Sequence, residues 1–211
     1  MTDDTTDQAP EKAAQDWPPQ REERMLDAGA LRALAHPLRV QIYDILSQYG
    51  PQTASTLAAM TGESSGSTSY HLRALAKHDL IREVDDRGSA RERWWERPKG
   101  GVSFGNPEAL KTPSGRAASQ VVMTEFMNRR HEQLMRFIAD TMLNPDELED
   151  NAMISTATVK LTNPQLQALV LRMQGLIDET VAEYRDQTGE GVRLVSIRAD
   201  IFALPEKGLG K

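Results

Sequence analysis

Hydrophobic residues recur at helical spacing through the first half of the chain, and two short stretches then change to the alternation of strands. Residues 26–35 and 37–49 predict two helices. The boundary falls at His36-Pro37, because proline disfavours helix in the residue before it and is tolerated in a first helical turn. We expect the apolar face of the second helix to pack beneath the elements that follow.

A further pair of helices is predicted in PQTASTLAAMTGESSGSTSYHLRALAKHDL. Thr53 is placed to cap a short helix that Gly62 ends. After a tight turn, small hydroxyl residues begin another helix, which acquires Leu72, Leu75 and Leu80 at helical spacing. One face of this helix is apolar and the other polar, and the pair predicts a helix-turn-helix.

Two strand-like runs come next, LIREV and RERWWER, joined by DDRGSA. Gly88 supports a hairpin turn between them. Trp94 and Trp95 are adjacent on the second strand, so they should point to opposite faces, with one of them in the core. The pattern predicts a wing beside the helix pair.

The second half of the chain begins with the Gly- and Pro-rich stretch KGGVSFGNPEALKTPSG, which indicates a linker. Residues 114–143 can then run as one long amphipathic helix. Beyond it, residues 152–161 and 192–204 predict two paired strands, covered by a helix with Pro164 in its first turn.

These elements predict an α+β protein with a winged helix-turn-helix domain, a long linking helix and a small C-terminal strand-helix-strand domain. The predicted divisions are a disordered acidic tail at 1–24, the winged helix-turn-helix at 25–99, a linker at 100–113, the long helix at 114–143 and the C-terminal domain at 144–211.

Small polar side chains at the start of the second helix of the pair would let its backbone approach base edges in a major groove. The positive end of that helix and nearby basic side chains favour phosphates. The residues that we expect to contact duplex DNA are Thr53, Ser64, Ser65, Ser67, Ser69, Tyr70, His71, Arg73, Lys77, Arg87, Arg91 and Arg93.

Charge is unevenly distributed along the chain, whose net charge is −6. Residues 1–24 carry a net −4, residues 25–99 a net +1 and residues 100–211 a net −3. Between Arg87 and Lys99, five basic residues stand against two acidic ones. The excess of acidic residues therefore lies outside the predicted DNA-binding domain. The wing is where positive charge would meet the DNA backbone.

The segments ALAHPLRVQIYDIL, TASTLAAMTGESSGSTSYHLRALAKHDLI and RERWWE occur in this order and resemble the winged-helix repressors of the ArsR type. The resemblance covers residues 28 to about 98, and its most specific string is Ser69-Tyr70-His71-Leu72-Arg73-Ala74-Leu75. It implies a dimeric, sequence-specific transcriptional regulator, usually a repressor that a signal releases.

The chain departs from many ArsR-type proteins in having no cysteine, which excludes metal sensing through thiolates. Its four histidines show no ligand spacing, so we expect neither a metal site nor a cofactor. The sequence also lacks a cysteine nucleophile, a phosphate loop and an HExxH motif, and we expect no enzyme activity. No apolar run suits a membrane span or a signal peptide, which favours a cytoplasmic location.

An apolar stripe on the long helix needs a partner. Pairing across a homodimer and packing against the chain's own C-terminal domain are both compatible with it. The predicted dimer contacts are Val122, Phe126, Met127, Leu134 and Ile138. Methionines near this helix serve either as core filler or as the lining of an apolar cavity for an unknown small-molecule effector.

Two further alternatives stay open at the level of sequence. His71 reaches the DNA or sits half buried beneath the reading helix, depending on the rotation of that helix. A winged helix can also serve as a protein-protein interaction module without sequence-specific DNA binding.

Overall fold

The computed structural model describes residues 23–89, 92–144 and 152–204. Its helices are α1 (Ala28–Leu34), α2 (Pro37–Tyr49), α3 (Ala54–Thr61), α4 (Ser65–Ala76), α5 (Pro107–Leu110), α6 (Pro113–Leu143) and α7 (Asn163–Tyr184). Its strands are β1 (Glu23–Met25), β2 (Gln52–Thr53), β3 (Arg82–Ser89), β4 (Glu92–Glu96) and β5 (Gly101–Ser103). The predicted α+β class is confirmed.

The side chains that directly precede α1 and α2 cap these two helices. The carboxylate of Asp27 accepts a hydrogen bond from the backbone N–H of Ala30 at the start of α1. The ring Nδ1 of His36 accepts from the backbone N–H of Leu38, so a histidine caps α2 directly before Pro37. Each cap satisfies a backbone donor that the first helical turn leaves without a partner.

The helix pair is joined by a short turn. Thr53 and Thr56 form a reciprocal capping box at the start of α3, in which each side chain accepts from the other residue's backbone N–H. Gly62 ends α3 in the left-handed conformation, with φ of 74°. Glycine adopts that conformation without steric cost, so the chain turns at once into α4.

A three-stranded antiparallel sheet of order β2-β4-β3 follows the helix pair. Arg82 pairs with Glu96 at the base of the β3–β4 ribbon, and the register shifts between Glu83 and Gly88. Trp95 is buried, whereas its neighbour Trp94 is only half buried, which confirms that the two indoles lie on opposite faces. The ribbon is the predicted wing, although residues 90 and 91 at its tip lie outside the described residues.

One hydrophobic core lies beneath the helix pair and the wing. Helix α6 contributes to it, since Val122 is fully buried and Phe126 packs edge-on against Tyr43 of α2 and beside Phe104. At the start of α6 the chain passes very close to α5, and a Cβ on Gly115 would lie 2.0 Å from the carbonyl oxygen of Ala109. Only glycine fits at that position.

Two predicted divisions of the chain need correction. The predicted linker at 100–113 is structured: β5 pairs in parallel with β1, and Ala109 of α5 is buried in the core. The tail predicted to be disordered at 1–24 lies outside the described residues except at its end, where Glu23 and Arg24 belong to β1. Strand β1 has only three residues, too few to show the alternation that would identify a strand in the sequence.

The described residues from Glu23 to Asn144 belong to one compact unit, and those from Met153 to Leu204 belong to a second. In the second unit α7 is confirmed, but residues 152–161 and 192–204 contain no paired strand, so the predicted pairing within the chain is wrong. An alternating sequence becomes a strand only when a neighbour accepts and donates its backbone hydrogen bonds. Among the described helices, none has the length and apolarity to cross a membrane.

Candidate nucleic-acid interface

Helix α4 divides cleanly into a buried and an outward face. Thr68, His71, Leu72 and Leu75 are buried at the spacing of one helical face. The opposite stripe carries Gly66, Tyr70, Arg73 and Lys77, of which Tyr70 is 63% exposed. The outward stripe therefore combines a residue without a side chain, an aromatic hydroxyl and two cations.

Serines surround the N-terminus of α4. The hydroxyl of Ser64 accepts a hydrogen bond from the backbone N–H of Ser67 and thereby caps the helix. Ser64 and Ser65 are exposed, whereas Ser67 and Ser69 are half buried at the edge of the outward stripe. The exposed helix end presents backbone N–H groups and hydroxyls, a combination that suits an anion such as a phosphate.

A buried threonine fixes α4 against α3. The Thr68 hydroxyl, which has no exposed surface, donates to the backbone carbonyl of Ala54 over 2.8 Å. At the far end of α4 the Arg24 guanidinium donates to the carbonyl oxygens of Asp79 and His78. Asp79 itself has φ of 53°, so the turn that follows α4 is tight. Both ends of the helix are thus held by contacts that do not occupy its outward face.

His71 belongs to the buried face, and its predicted contact with DNA is wrong. Its side chain is 9% exposed, its ring centroid lies 4.6 Å from that of His36, and its Nδ1 is buried without a hydrogen-bond partner. Burial lowers the pKa of His71, and the neighbouring charges of His36 and Arg39 lower it further, whereas Glu63 acts in the opposite direction. The neutral ring is therefore a packing element of the helix.

Thr53 is also unavailable to DNA through its side chain. Its hydroxyl is committed to the capping box with Thr56, and the residue is 1% exposed because β2 pairs with β4 above it. Thr53 instead caps α3 and, as part of β2, joins the helix pair to strand β4 of the wing. Its predicted DNA contact is corrected accordingly.

The wing holds its arginines in different environments. The Arg87 guanidinium stacks over the Trp94 ring at 3.9 Å from the ring centroid. Arg93 forms an exposed ion pair of 3.4 Å with Glu83. Arg91 lies outside the described residues. Arg97, which the charge count assigned to the wing, instead donates to the Tyr43 hydroxyl and the Gly100 carbonyl at the base of the domain.

Gly66 is the outward residue that the sequence analysis missed. A Cβ built on it would meet only the Ser64 hydroxyl, at 3.9 Å, so its surroundings are open rather than crowded. The open surface around this glycine leaves room for a close approach to the backbone in the first turn of α4. The sequence analysis could have found Gly66 from its spacing of four residues from Tyr70, which places both residues on one helical face.

The predicted dimer contacts separate into two groups. Val122 is fully buried in the core of its own domain, so it is unavailable to a second copy, and that part of the prediction is corrected; Phe126 is partly buried against the same core. Met127 is exposed, while Leu134 and Ile138 are half buried. For these three residues the dimer contact stays a prediction. Among the described residues, no group of three or more His, Cys, Asp or Glu side chains is arranged to hold a metal ion.

Comparison with known proteins agrees with this geometry. Residues 34–84 match a family model described as a helix-turn-helix domain, which confirms the ArsR-type winged-helix resemblance over that segment. No curated protein matches the chain. Among solved structures, it is similar to the homodimeric winged helix-turn-helix DNA-binding domain of a possible ArsR-family transcriptional regulator from Mycobacterium bovis. That likeness has 20% identity and a TM-score of 0.30, and covers 61% of this chain and 86% of the other.

The helix pair, the outward polar stripe on its second helix and the adjoining ribbon together make a winged helix-turn-helix domain. A domain of this construction, with the helix-turn-helix match over residues 34–84, is typical of DNA-binding transcription regulators.

Proposed function

We propose that the protein is a homodimeric transcriptional repressor that recognises an inverted-repeat operator. Each copy inserts the outward stripe of α4 into a major groove, and the two grooves lie about one helical turn of DNA apart. The observation that carries the proposal is the stripe itself: Gly66, Tyr70, Arg73 and Lys77 lie on one exposed helix face whose back is fully committed to the core.

The chemistry of the stripe assigns different tasks to its members. A guanidinium such as that of Arg73 can pair with the O6 and N7 atoms of guanine, which is the commonest specific contact in a major groove. Gly66 allows the helix backbone to approach the base edges, and the Tyr70 hydroxyl can donate or accept. Lys77, one turn beyond Arg73, is suited to a phosphate, where a flexible point charge is sufficient.

The wing extends the contact to the flanking backbone. The exposed ion pair between Arg93 and Glu83 contributes about 0–1 kcal/mol at most, so Arg93 can exchange it for a phosphate at little cost. Arg87 is held over Trp94, which limits the conformations that it must lose on binding. Repression and release by a signal come from the ArsR-type resemblance, and selection of bound sequences does not depend on knowing that signal.

The test is selection of bound sequences from a random duplex library by the full-length protein, repeated with Arg73→Ala. Enrichment of an inverted repeat that fades or relaxes at particular positions in the variant supports the proposal. Arg136→Ala is the matched control, because Arg136 is also an exposed arginine and lies on α6, where it pairs with Glu132. It should select the same operator as the unchanged protein.

Failure to enrich any sequence at low salt would overturn the proposal and favour the protein-interaction alternative. Enrichment of a single half-site by a monomeric species would retain DNA recognition and remove the dimeric geometry. An activator would bind the same operator as a repressor. Repression is therefore tested separately, with a reporter gene placed downstream of the selected site.

A further inference from the structure

The described residues of the second unit, 153–204, form no hydrophobic core of their own. All the buried hydrophobic residues of the described ranges end at Val122, whereas thirteen large hydrophobic side chains between Met153 and Leu204 are exposed. In α7 the only buried residue is Gly175. Monomeric proteins rarely expose apolar patches of more than a few hundred Å², so a surface of this kind indicates a partner.

The two segments that flank α7 have the sequence of strands but lack the neighbours that strands need. In residues 192–204, Val195, Ile197, Ala199 and Ile201 alternate on one face, and residues 152–161 alternate in the same way around Val159. Neither segment forms a paired strand within the described residues. Both therefore present apolar side chains together with a backbone capable of forming a ladder.

We propose that residues 152–161 and 192–204 of one chain pair with the same segments of a second copy in a four-stranded sheet, which the two α7 helices cover. A sheet of two strands is at best marginally stable in water, whereas four strands with a helical layer form a stable unit. A second copy supplies this missing half without any other component. This inference identifies the surface through which the proposed homodimer forms. It rests on the proposed function only in taking the assembly to contain two copies.

Charge and area both favour a second copy as the occupant. The two flanking segments carry three basic residues and one acidic residue, a net +2, whereas α7 carries one basic residue and three acidic ones, a net −2. Helices from two copies can thus lie over strands of opposite charge. Thirteen exposed large side chains also provide an apolar surface of the size that a standard interface needs, about 800 Å² per partner.

The test combines sedimentation with amide hydrogen exchange on the full-length protein, above and below the concentration at which it dissociates. We expect both flanking segments to be protected in the dimer and to lose protection on dilution. In the variant Ile197→Asp, dimer dissociation should shift to concentrations at least about a hundredfold higher, because two charges would be buried without partners.

The matched control is Met135→Asp on α6, since Met135 and Ile197 are exposed to a similar degree, 47% and 49%. It should leave the dimer intact. A dimer that Met135→Asp disrupts and Ile197→Asp does not would overturn the inference in favour of an interface on α6. Segments that stay protected in a monomer would also overturn it, because the chain itself or another segment of it would then cover them.

The result is separable from the test of the proposed function. A chain that stays monomeric at all concentrations but still selects a half-site from the duplex library would remove this interface and retain DNA recognition. A chain whose flanking segments are protected in a dimer, but which selects no sequence, would retain the interface and remove the proposed function.

Discussion

The guanidinium of Arg129 on α6 donates from Nε to Oδ2 of Asp44 on α2 over 2.9 Å, and both side chains are largely shielded from water, at 21% and 15% exposed. Asp44 accepts a second hydrogen bond from Gln48, whose carbonyl in turn accepts from Gln133 of α6. The long helix is therefore attached to the DNA-binding domain by a small polar network as well as by Val122 and Phe126.

Removing Arg129 should destabilise the domain because it leaves the Asp44 carboxylate shielded and unpaired. We expect Arg129→Met to lower the free energy of unfolding by about 2 kcal/mol, between the values for exposed and fully buried pairs. Urea denaturation measures it. Arg136→Met, which breaks an exposed pair with Glu132, should cost no more than about 0.5 kcal/mol. Equal losses of unfolding free energy in the two variants would show that the Arg129–Asp44 pair stabilises the domain no more than an exposed pair does.

Thr68→Val should loosen the attachment of α4 to α3. The substitution keeps the shape of the side chain but removes the hydrogen bond that joins α4 to the Ala54 carbonyl of α3, at a cost of about 0.5–1.5 kcal/mol. Thr61→Val is the matched control, because the Thr61 hydroxyl donates to Leu57 within its own helix, where the carbonyl keeps its helical partner. If thermal unfolding showed the two variants to be equally stable, the bond between the helices would not be the reason for a threonine at position 68.

Gly66→Ala should have opposite effects on stability and on DNA binding. Alanine in a helix is more favourable than glycine by about 0.5–1 kcal/mol, and the added Cβ meets nothing closer than 3.9 Å. The same methyl group would keep the helix backbone away from base edges. We therefore expect a higher melting temperature together with weaker operator binding. Unchanged affinity would place Gly66 away from the DNA.

Lys77→Ala should weaken binding to the operator and to unrelated duplexes by a similar factor. A phosphate contact carries no sequence information, and its loss should reduce the slope of log affinity against log salt by about 0.9 per contact, or twice that for a dimer. Titration of labelled duplexes at several salt concentrations measures the slope. Lys111→Ala, an exposed lysine paired with Glu108 on α5, should change neither quantity. A loss confined to the operator would instead make Lys77 a base reader.

The stability of the domain should fall as the pH decreases below about 6.5, the ordinary value for histidine. Burial lowers the pKa of His71, so the unfolded chain binds a proton in a range where the folded domain resists it. His71→Leu removes this proton uptake, and its stability should depend less on pH over that range. His131→Leu, at an exposed position on α6, serves as the control. Identical pH profiles in the two variants would show that His71 does not carry the effect.

Much of the first domain could be predicted from local sequence, because its helices are bounded by local chemistry. The His36-Pro37 boundary, the Thr53 cap and Gly62 act within a few residues of themselves, and the periodicity of Leu72 and Leu75 sets the buried face of α4. The opposite orientations of Trp94 and Trp95 could also be predicted locally, because adjacent side chains of a strand point to opposite faces.

What the sequence could not supply depends on contacts between distant segments. His71 lies at the edge of the apolar face that Leu72 and Leu75 define, so the sequence leaves open whether it faces DNA or the core; in the structure its ring is buried beside that of His36. By its position in the sequence, Arg97 belongs to the wing. In the structure its guanidinium instead donates to the hydroxyl of Tyr43, which is 54 residues away in the chain. The alternation in residues 192–204 is typical of a strand, but it carries no information on whether the chain itself supplies a neighbouring strand, and in the structure it does not.

The close approach at Gly115 bears on how variants of this protein should be interpreted. Any side chain there must displace the backbone at Ala109 and shift the first turn of α6 away from the domain. Genetic screens for loss of regulation should therefore recover substitutions at this glycine, although it makes no contact with α4 or the wing. Such an allele would resemble a defect in recognition while leaving every residue of the outward stripe unchanged.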